Sequence, residues 1–181
     1  VEHLGCIEDT LRSRHGCKRP RKPRPPISRR PVCTLRGDPH VTNFKRQKFN
    51  HYKPGYFTAY QKGNVQVIVK QGVSTTWKKR RTIHKVKVLH GKKAYTISVN
   101  QKNCKTTGNL KSKQKFGGVE VSWQKSCRRR VGDRHFNVKI VVKNPKALKG
   151  AKGTCVNKNH PAELTLAHVK ALANKLCKNF G

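Results

Sequence analysis

The chain has 181 residues, of which 43 are Lys or Arg and 7 are Asp or Glu, giving a formal charge of +36. That length suits one hydrophobic core plus an extension, and an apolar content of 34% with recurrent Val-rich alternation excludes a wholly disordered polymer. The charge lies far outside the magnitude of roughly 2 to 8 that keeps a small domain soluble, so a polyanionic partner is expected to relieve the self-repulsion.

Three of the acids, Glu2, Glu8 and Asp9, open the chain, and only Asp38, Glu120, Asp133 and Glu163 follow. Residues 1–32 read as an arm. From position 10 it is rich in Arg and Pro, with Pro20, Pro23, Pro25, Pro26 and Pro31 removing backbone donors and fixing φ, so an extended, polyproline-like course is predicted. Arg19, Arg21, Lys22, Arg24, Arg29 and Arg30 are its candidate polyanion contacts.

Residues 33–181 read as one β domain. Val65, Val67 and Val69 share one face of a predicted strand, as do Tyr95, Ile97 and Val99, then Val119, Val121 and Trp123, then Phe136, Val138, Ile140 and Val142. Gly63-Asn64, His90-Gly91 and Gly117-Gly118 supply hairpin turns between them. Short strands at this spacing predict a mainly β fold, an antiparallel β-sandwich. Lys85 and Lys87 alternate with His84, Val86 and Val88, so the two amines project together into solvent, and Lys139 and Lys143 do the same on a later strand. Lys78, Lys79, Arg80 and Arg81 form one loop cluster and Arg128, Arg129 and Arg130 another.

Near the end the period lengthens. Leu166, Val169, Ala173 and Leu176 share one face at helical spacing, with Pro161 and Glu163 at the first turn and Lys175 and Lys178 at the last. An amphipathic helix packed on the sandwich is expected, in preference to one lying on a membrane surface, because its polar face is not especially basic.

Cys6, Cys17, Cys33, Cys104, Cys127, Cys155 and Cys177 contain no CxxC pair, which argues for disulfides in an extracellular setting rather than zinc. Cys6 and Cys17 are placed to close a small loop, but the connectivity stays open. An odd cysteine is left buried or available for a disulfide-linked partner. No apolar run reaches the roughly 18 to 20 residues of a transmembrane helix, and the absence of Met fits a chain whose leader has been removed. A secreted, extracellular protein is expected.

From Cys33 the sequence reads CTLRGDPHVTNFKRQKFNHYKPGYFTAY, and near the end GTCVNKNHPAELT. The first resembles the opening of a von Willebrand factor type D domain through Gly37, Asp38, Pro39, His40, Thr42, Phe44, Phe49, Gly55 and Tyr56. The second resembles that family's closing segment through Cys155, Asn157, Asn159, Pro161, Ala162, Glu163 and Leu164. The resemblance implies a sandwich of type D over about residues 33–165, and in some members a calcium site in the closing loop. Here Val156, Lys158 and His160 replace the family's Gly, aromatic and Gly, and Glu163 is the one acid left. A hard cation needs six to eight oxygens with net negative charge, so calcium is not expected, Asn157, Asn159 and Glu163 being its remaining candidate ligands.

Some type D domains cleave themselves between Asp and Pro of this opening motif, and Asp38, Pro39 and His40 supply the groups: a carboxyl to attack its own carbonyl, a proline nitrogen to leave, an imidazole to move protons. The plainer expectation is that the motif merely starts the first strand. Arg36-Gly37-Asp38 spells an integrin-type tripeptide, but inside that motif rather than on a free loop tip.

Glycosidase and triad chemistries need carboxylates this domain barely has, and no Gly-rich phosphate cradle is present. No enzyme and no cofactor are expected. Non-specific nucleic-acid binding in vitro follows from charge alone, but base-reading motifs are absent. The remaining partners are a mineral such as silica, a sulfated glycan, or an anionic bacterial surface. With 28 Lys against 15 Arg, and Lys spread over the strands, diffuse contact with an extended anionic surface is favoured over bidentate recognition. A cationic matrix protein, one that promotes silica deposition, is the leading expectation. A host-defence or heparin-like-glycan-binding protein is the alternative.

Overall fold

A computed structural model describes residues 30–37, 40–73, 81–127 and 134–158, and the backbone of 163–164. These form twelve strands: β1 (Val32–Arg36), β2 (His40–Thr42), β3 (Lys48–Asn50), β4 (Gly55–Lys62), β5 (Val65–Val73), β6 (Arg81–His90), β7 (Lys93–Val99), β8 (Thr106–Gly108), β9 (Lys113–Phe116), β10 (Val119–Cys127), β11 (Arg134–Val142) and β12 (Glu163–Leu164). Every pairing between them is antiparallel. The mainly β expectation therefore holds.

The strands belong to one connected sheet rather than two separate ones. One wing runs β12-β4-β5-β6-β7-β8 and the other β9-β10-β11-β1-β2-β3. They join where β6 meets β11 through a single register pair, Ile83 opposite Phe136, both fully buried. The wings fold toward each other across the core. Tyr95 of β7 meets Phe116 of β9 edge-on at 5.2 Å, and Tyr60 of β4 meets Phe44, beside β2, at 6.2 Å.

Period two explains the core. Val65, Val67 and Val69 point inward from β5, Val119 and Val121 from β10, and Phe136, Val138, Ile140 and Val142 from β11, all buried. The turns fall at Gly63-Asn64 and Gly117-Gly118 as expected, whereas the β6–β7 turn is Gly91-Lys92, with His90 closing the strand. Gly91 carries φ +59°, the sign required at the start of a tight hairpin turn.

Strict alternation fails at two bulges. In β4 the pairs Thr58↔Ile68 and Tyr60↔Val67 leave Ala59 as an extra residue. In β6 the pairs Lys85↔Lys70 and Ile83↔Gln71 do the same to His84. A bulge reverses which face later residues occupy, so Ile83 turns into the core while His84 leaves the face of Val86 and Val88. This corrects the simple alternation. His84 is half-buried, with Nε2 at 2.7 Å from Thr82 Oγ1 and Nδ1 at 3.0 Å from Gln101 Nε2.

The segment 152–155 is laced to the bulged strand: Gln61 N donates to Lys152 O, Thr154 N to Thr58 O and Cys155 N to Ala59 O at 2.8 to 3.1 Å. Gly153 is required there. A Cβ would stand 2.5 Å from Ala59 O, and φ is +115°. Cys155 then bonds Cys33 of β1, and its carbonyl accepts from Phe44 N at 2.9 Å. A second disulfide, Cys104–Cys127, fastens the β7–β8 loop to the end of β10. Both bridges cross from wing to wing.

The predicted C-terminal helix lies outside the described residues except at its start. There the expectation is corrected, because Glu163–Leu164 is a strand opposite Phe57 and Tyr56 rather than a first helical turn. Residues 1–29, and with them most of the predicted arm and the Cys6 and Cys17 loop, also lie outside, as does Cys177. No helix among the described residues is long and apolar enough to cross a membrane.

Two outcomes are expected. The Cys33–Cys155 bridge closes a loop of sequence separation 122, so C33A/C155A should lose about 5 kcal/mol in the chain-entropy picture, measured by urea unfolding. Tyr60 donates to Ala147 O at 2.7 Å, and burial pushes its hydroxyl above the usual pKa of 10.0. Stability owed to a raised folded-state pKa is complete below the unfolded value and fades as pH climbs past it. Y60F should thus cost about 1 kcal/mol at neutral pH, and its deficit against the parent should shrink above about pH 10.

Candidate polyanion-binding surface

Many predicted contacts fall outside the described residues: Arg19, Arg21, Lys22, Arg24 and Arg29 of the arm, Lys78, Lys79 and Arg80 between β5 and β6, and Arg128, Arg129 and Arg130 between β10 and β11. Arg30 is exposed just before β1, Arg81 is half-buried at the start of β6, and Lys85 and Lys87 are half-buried on the outer face of the β4–β8 wing. Lys139 is exposed on the other wing, and Lys143 follows β11.

Register assembles what the sequence leaves scattered. Lys113 of β9 lies opposite Ser122 of β10, which lies opposite Lys139 of β11; that pairs with Thr34 of β1, then Thr42 of β2, then Lys48 of β3. The row Lys113-Ser122-Lys139-Thr34-Thr42-Lys48 crosses six strands on the outer face, because Gln114, Val121, Ile140, Cys33, Val41 and Phe49 occupy the alternate, inward positions. At a strand spacing of about 4.8 Å it spans about 24 Å. Arg36 stands on the same outer face two residues along β1. A shallow cleft of about 720 Å³ runs between Arg36, Lys113, Lys139, Asn137 and Ser122, and a second of about 640 Å³ lies toward Arg30, Thr42 and Arg46.

Lys113 and Lys143 share one acidic partner, each Nζ lying 3.8 Å from Glu120 Oε1; the Lys143 side chain is 31% exposed, whereas that of Lys113 is 70% exposed and stays open to solvent. Glu120, 6% exposed, is the one acidic side chain among the described residues. It draws both amines to one carboxylate oxygen and trims the local charge.

Other cations serve carbonyls. Arg134 donates to Gln101 O at 2.7 Å and also to Lys102 O, Lys125 Nζ reaches Cys104 O at 3.4 Å, and Lys62 Nζ bonds Lys146 O. The first three knit the ends of β10 and β11 to the β7–β8 loop beside the Cys104–Cys127 bridge. Their role is structural.

Of the opening motif, Gly37 N donates to Asn137 Oδ1 at 2.9 Å, and His40 begins β2 with Nδ1 at 2.7 Å from Asn50 Oδ1. Asp38 and Pro39 lie outside the described residues, and with them the cleavage chemistry and the Arg36-Gly37-Asp38 tripeptide as a unit. Asn157 is exposed after Cys155; Asn159 lies outside, and Glu163 is described in its backbone alone. Among the described residues no three His, Cys, Asp or Glu side chains gather as a metal would need.

Sequence reasoning missed Lys48, Lys113 and Arg36 as part of this face. Their strands are short, and only pairing aligns them. No protein-family model matches the chain, and no curated protein matches it.

E120Q keeps the shape of the side chain and leaves Lys113 and Lys143 uncompensated. Retention on dextran sulfate should rise about two- to fivefold at low ionic strength, as expected of a charge worth about 0.5 to 1 kcal/mol near the surface. The gain should vanish in about 1 M salt, where the Debye length is about 3 Å.

Proposed function

We propose that this protein is a secreted, non-enzymatic cationic matrix protein, a divergent scaffold of the type D kind, whose lysine rows hold an extended polyanionic phase, with silica the foremost candidate. The observation that carries this is the row Lys113-Ser122-Lys139-Thr34-Thr42-Lys48. It intersperses three ammonium groups with three hydroxyls across a sheet face. Ammonium groups attract ionised silanols, and hydroxyls exchange hydrogen bonds with neutral ones. A pleated face offers both at fixed spacing, which suits a surface that carries both kinds of group.

Deposition follows from the same groups. Where a silanolate oxygen attacks the silicon of a neutral silicic acid, an Si–O–Si bond forms and hydroxide departs. A neighbouring ammonium can supply the proton that turns it into water, and the amine regains a proton from solvent. The attraction of the first silanolate and the shuttling of that proton need no enclosed active site. The type D kinship is supported by the bond between Cys33, which opens one resembling segment, and Cys155, which sits in the other. The two disulfides, and the lack of a membrane-crossing helix among the described residues, are compatible with secretion.

The test is retention on silica particles together with loss of soluble silicic acid at neutral pH. The parent should bind, accelerate condensation and be released by salt. K48Q/K113Q/K139Q, checked for unchanged circular dichroism, should bind about tenfold more weakly. Undiminished binding by that variant would show that the row is not the contact. Salt-sensitive killing of bacteria by a parent that ignores silica would point to host defence instead.

A further inference from the structure

The β4–β8 wing carries a second row. Tyr56 of β4 pairs with Lys70 of β5, Lys70 with Lys85 of β6, Lys85 with Ser98 of β7, and Ser98 with Thr107 of β8. This row repeats the mixture of amines and hydroxyls on the other wing. Its centre is a like-charge pair directly opposed across two strands, an arrangement that costs stability unless something offsets it. Lys70 Nζ sits 5.3 Å from the Tyr56 ring centroid, which offsets part through the ring's negative face. Lys85 has no acidic partner across the sheet: its strand neighbours are Lys70 and Ser98. Ile68 and Leu89, further along the same face, are buried, so the accessible part is the end carrying Lys70, Lys85 and Thr107.

The two rows cannot touch one flat surface together. The wings pack core to core, through Tyr95 on Phe116, Tyr60 on Phe44 and the bridges Cys33–Cys155 and Cys104–Cys127. Their outer faces are therefore turned away from each other, with the shared core and two disulfides between them. We infer that the domain is a rigid two-faced cross-linker, which takes one silica surface on the Lys113-Lys139-Lys48 row and a second on the Lys70-Lys85 row. This rests on the function proposed above and adds bridging to binding. Each face alone is modest. Many such bodies on one particle act together: once one of them bridges to a second particle, the free faces of its neighbours meet that particle at high local concentration.

The experiment uses the full-length protein and monodisperse silica nanoparticles, with bound protein and flocculation rate followed separately at sub-monolayer coverage. The parent should bind and flocculate. K70Q/K85Q should stay bound to within about twofold while flocculation slows at least about tenfold, as expected when a second, linked contact is lost. K92Q/K149Q removes the same charge from the exposed β6–β7 turn and from the stretch after β11, and should flocculate like the parent. Equal flocculation by K70Q/K85Q and K92Q/K149Q would overturn the inference while leaving the proposed function intact. Failure of the parent itself to bind silica would overturn both.

Discussion

Everything in this domain depends on how two wings of one sheet are held face to face. Hydrogen bonding alone joins them weakly, since β6 and β11 share one register pair at Ile83 and Phe136 before diverging. Apolar side chains fill the space between, yet the same wings carry outward lysines whose repulsion works against compaction. The two disulfides resolve this conflict. Cys33–Cys155 closes the β1 side onto the segment laced along β4, and Cys104–Cys127 closes the β7–β8 loop onto the end of β10. A chain of this charge cannot rely on surface ion pairs, because Glu120 is the sole acidic side chain among the described residues. Covalent cross-links, which are indifferent to ionic strength, take that place.

Once the wings are clamped, the outer faces become platforms. Pleating sends every second residue outward, and antiparallel pairing sets those residues side by side. Amines two to five strands apart along the sheet, from β9, β11 and β3, then fall on one line although they come from distant parts of the sequence. The bulges matter as well. The extra residue at His84 lets β6 deliver Ile83 to the join with β11 while keeping Lys85 and Lys87 outside. Not every cation belongs to the platform, since Arg134 and Lys125 are spent on carbonyls that hold the β7–β8 loop.

Much of the fold was legible in the sequence, because burial writes itself in period two. The Val run of β5 and the Phe-Val-Ile-Val run of β11 announced their inward faces, and Gly63-Asn64 and Gly117-Gly118 their turns. Where structure departs from the local pattern, the cause is non-local. His84 shares its period with Val86 and Val88 in the sequence, but a bulge depends on the partner strand and leaves no local mark. The stretch after Glu163 has a strong 3.6-residue period in the sequence, whereas pairing with Phe57 and Tyr56 claims Glu163 and Leu164 for a strand. The short strands β2, β3, β8 and β9 have too few residues to show any period.

The candidate surface divides the same way. Sequence by itself determined the large basic excess, the poverty in acids, the set of cysteines suited to disulfides and the alternation that pushes Lys85, Lys87 and Lys139 outward. Only the tertiary structure decided which lysines are neighbours, that Lys113 and Lys143 share Glu120, and that two amine-bearing rows face away from each other. The reason is physical: which way a side chain points is a property of its own strand, but which side chains stand together is set by register between strands, and register is fixed by contacts that close only when the whole sheet has formed.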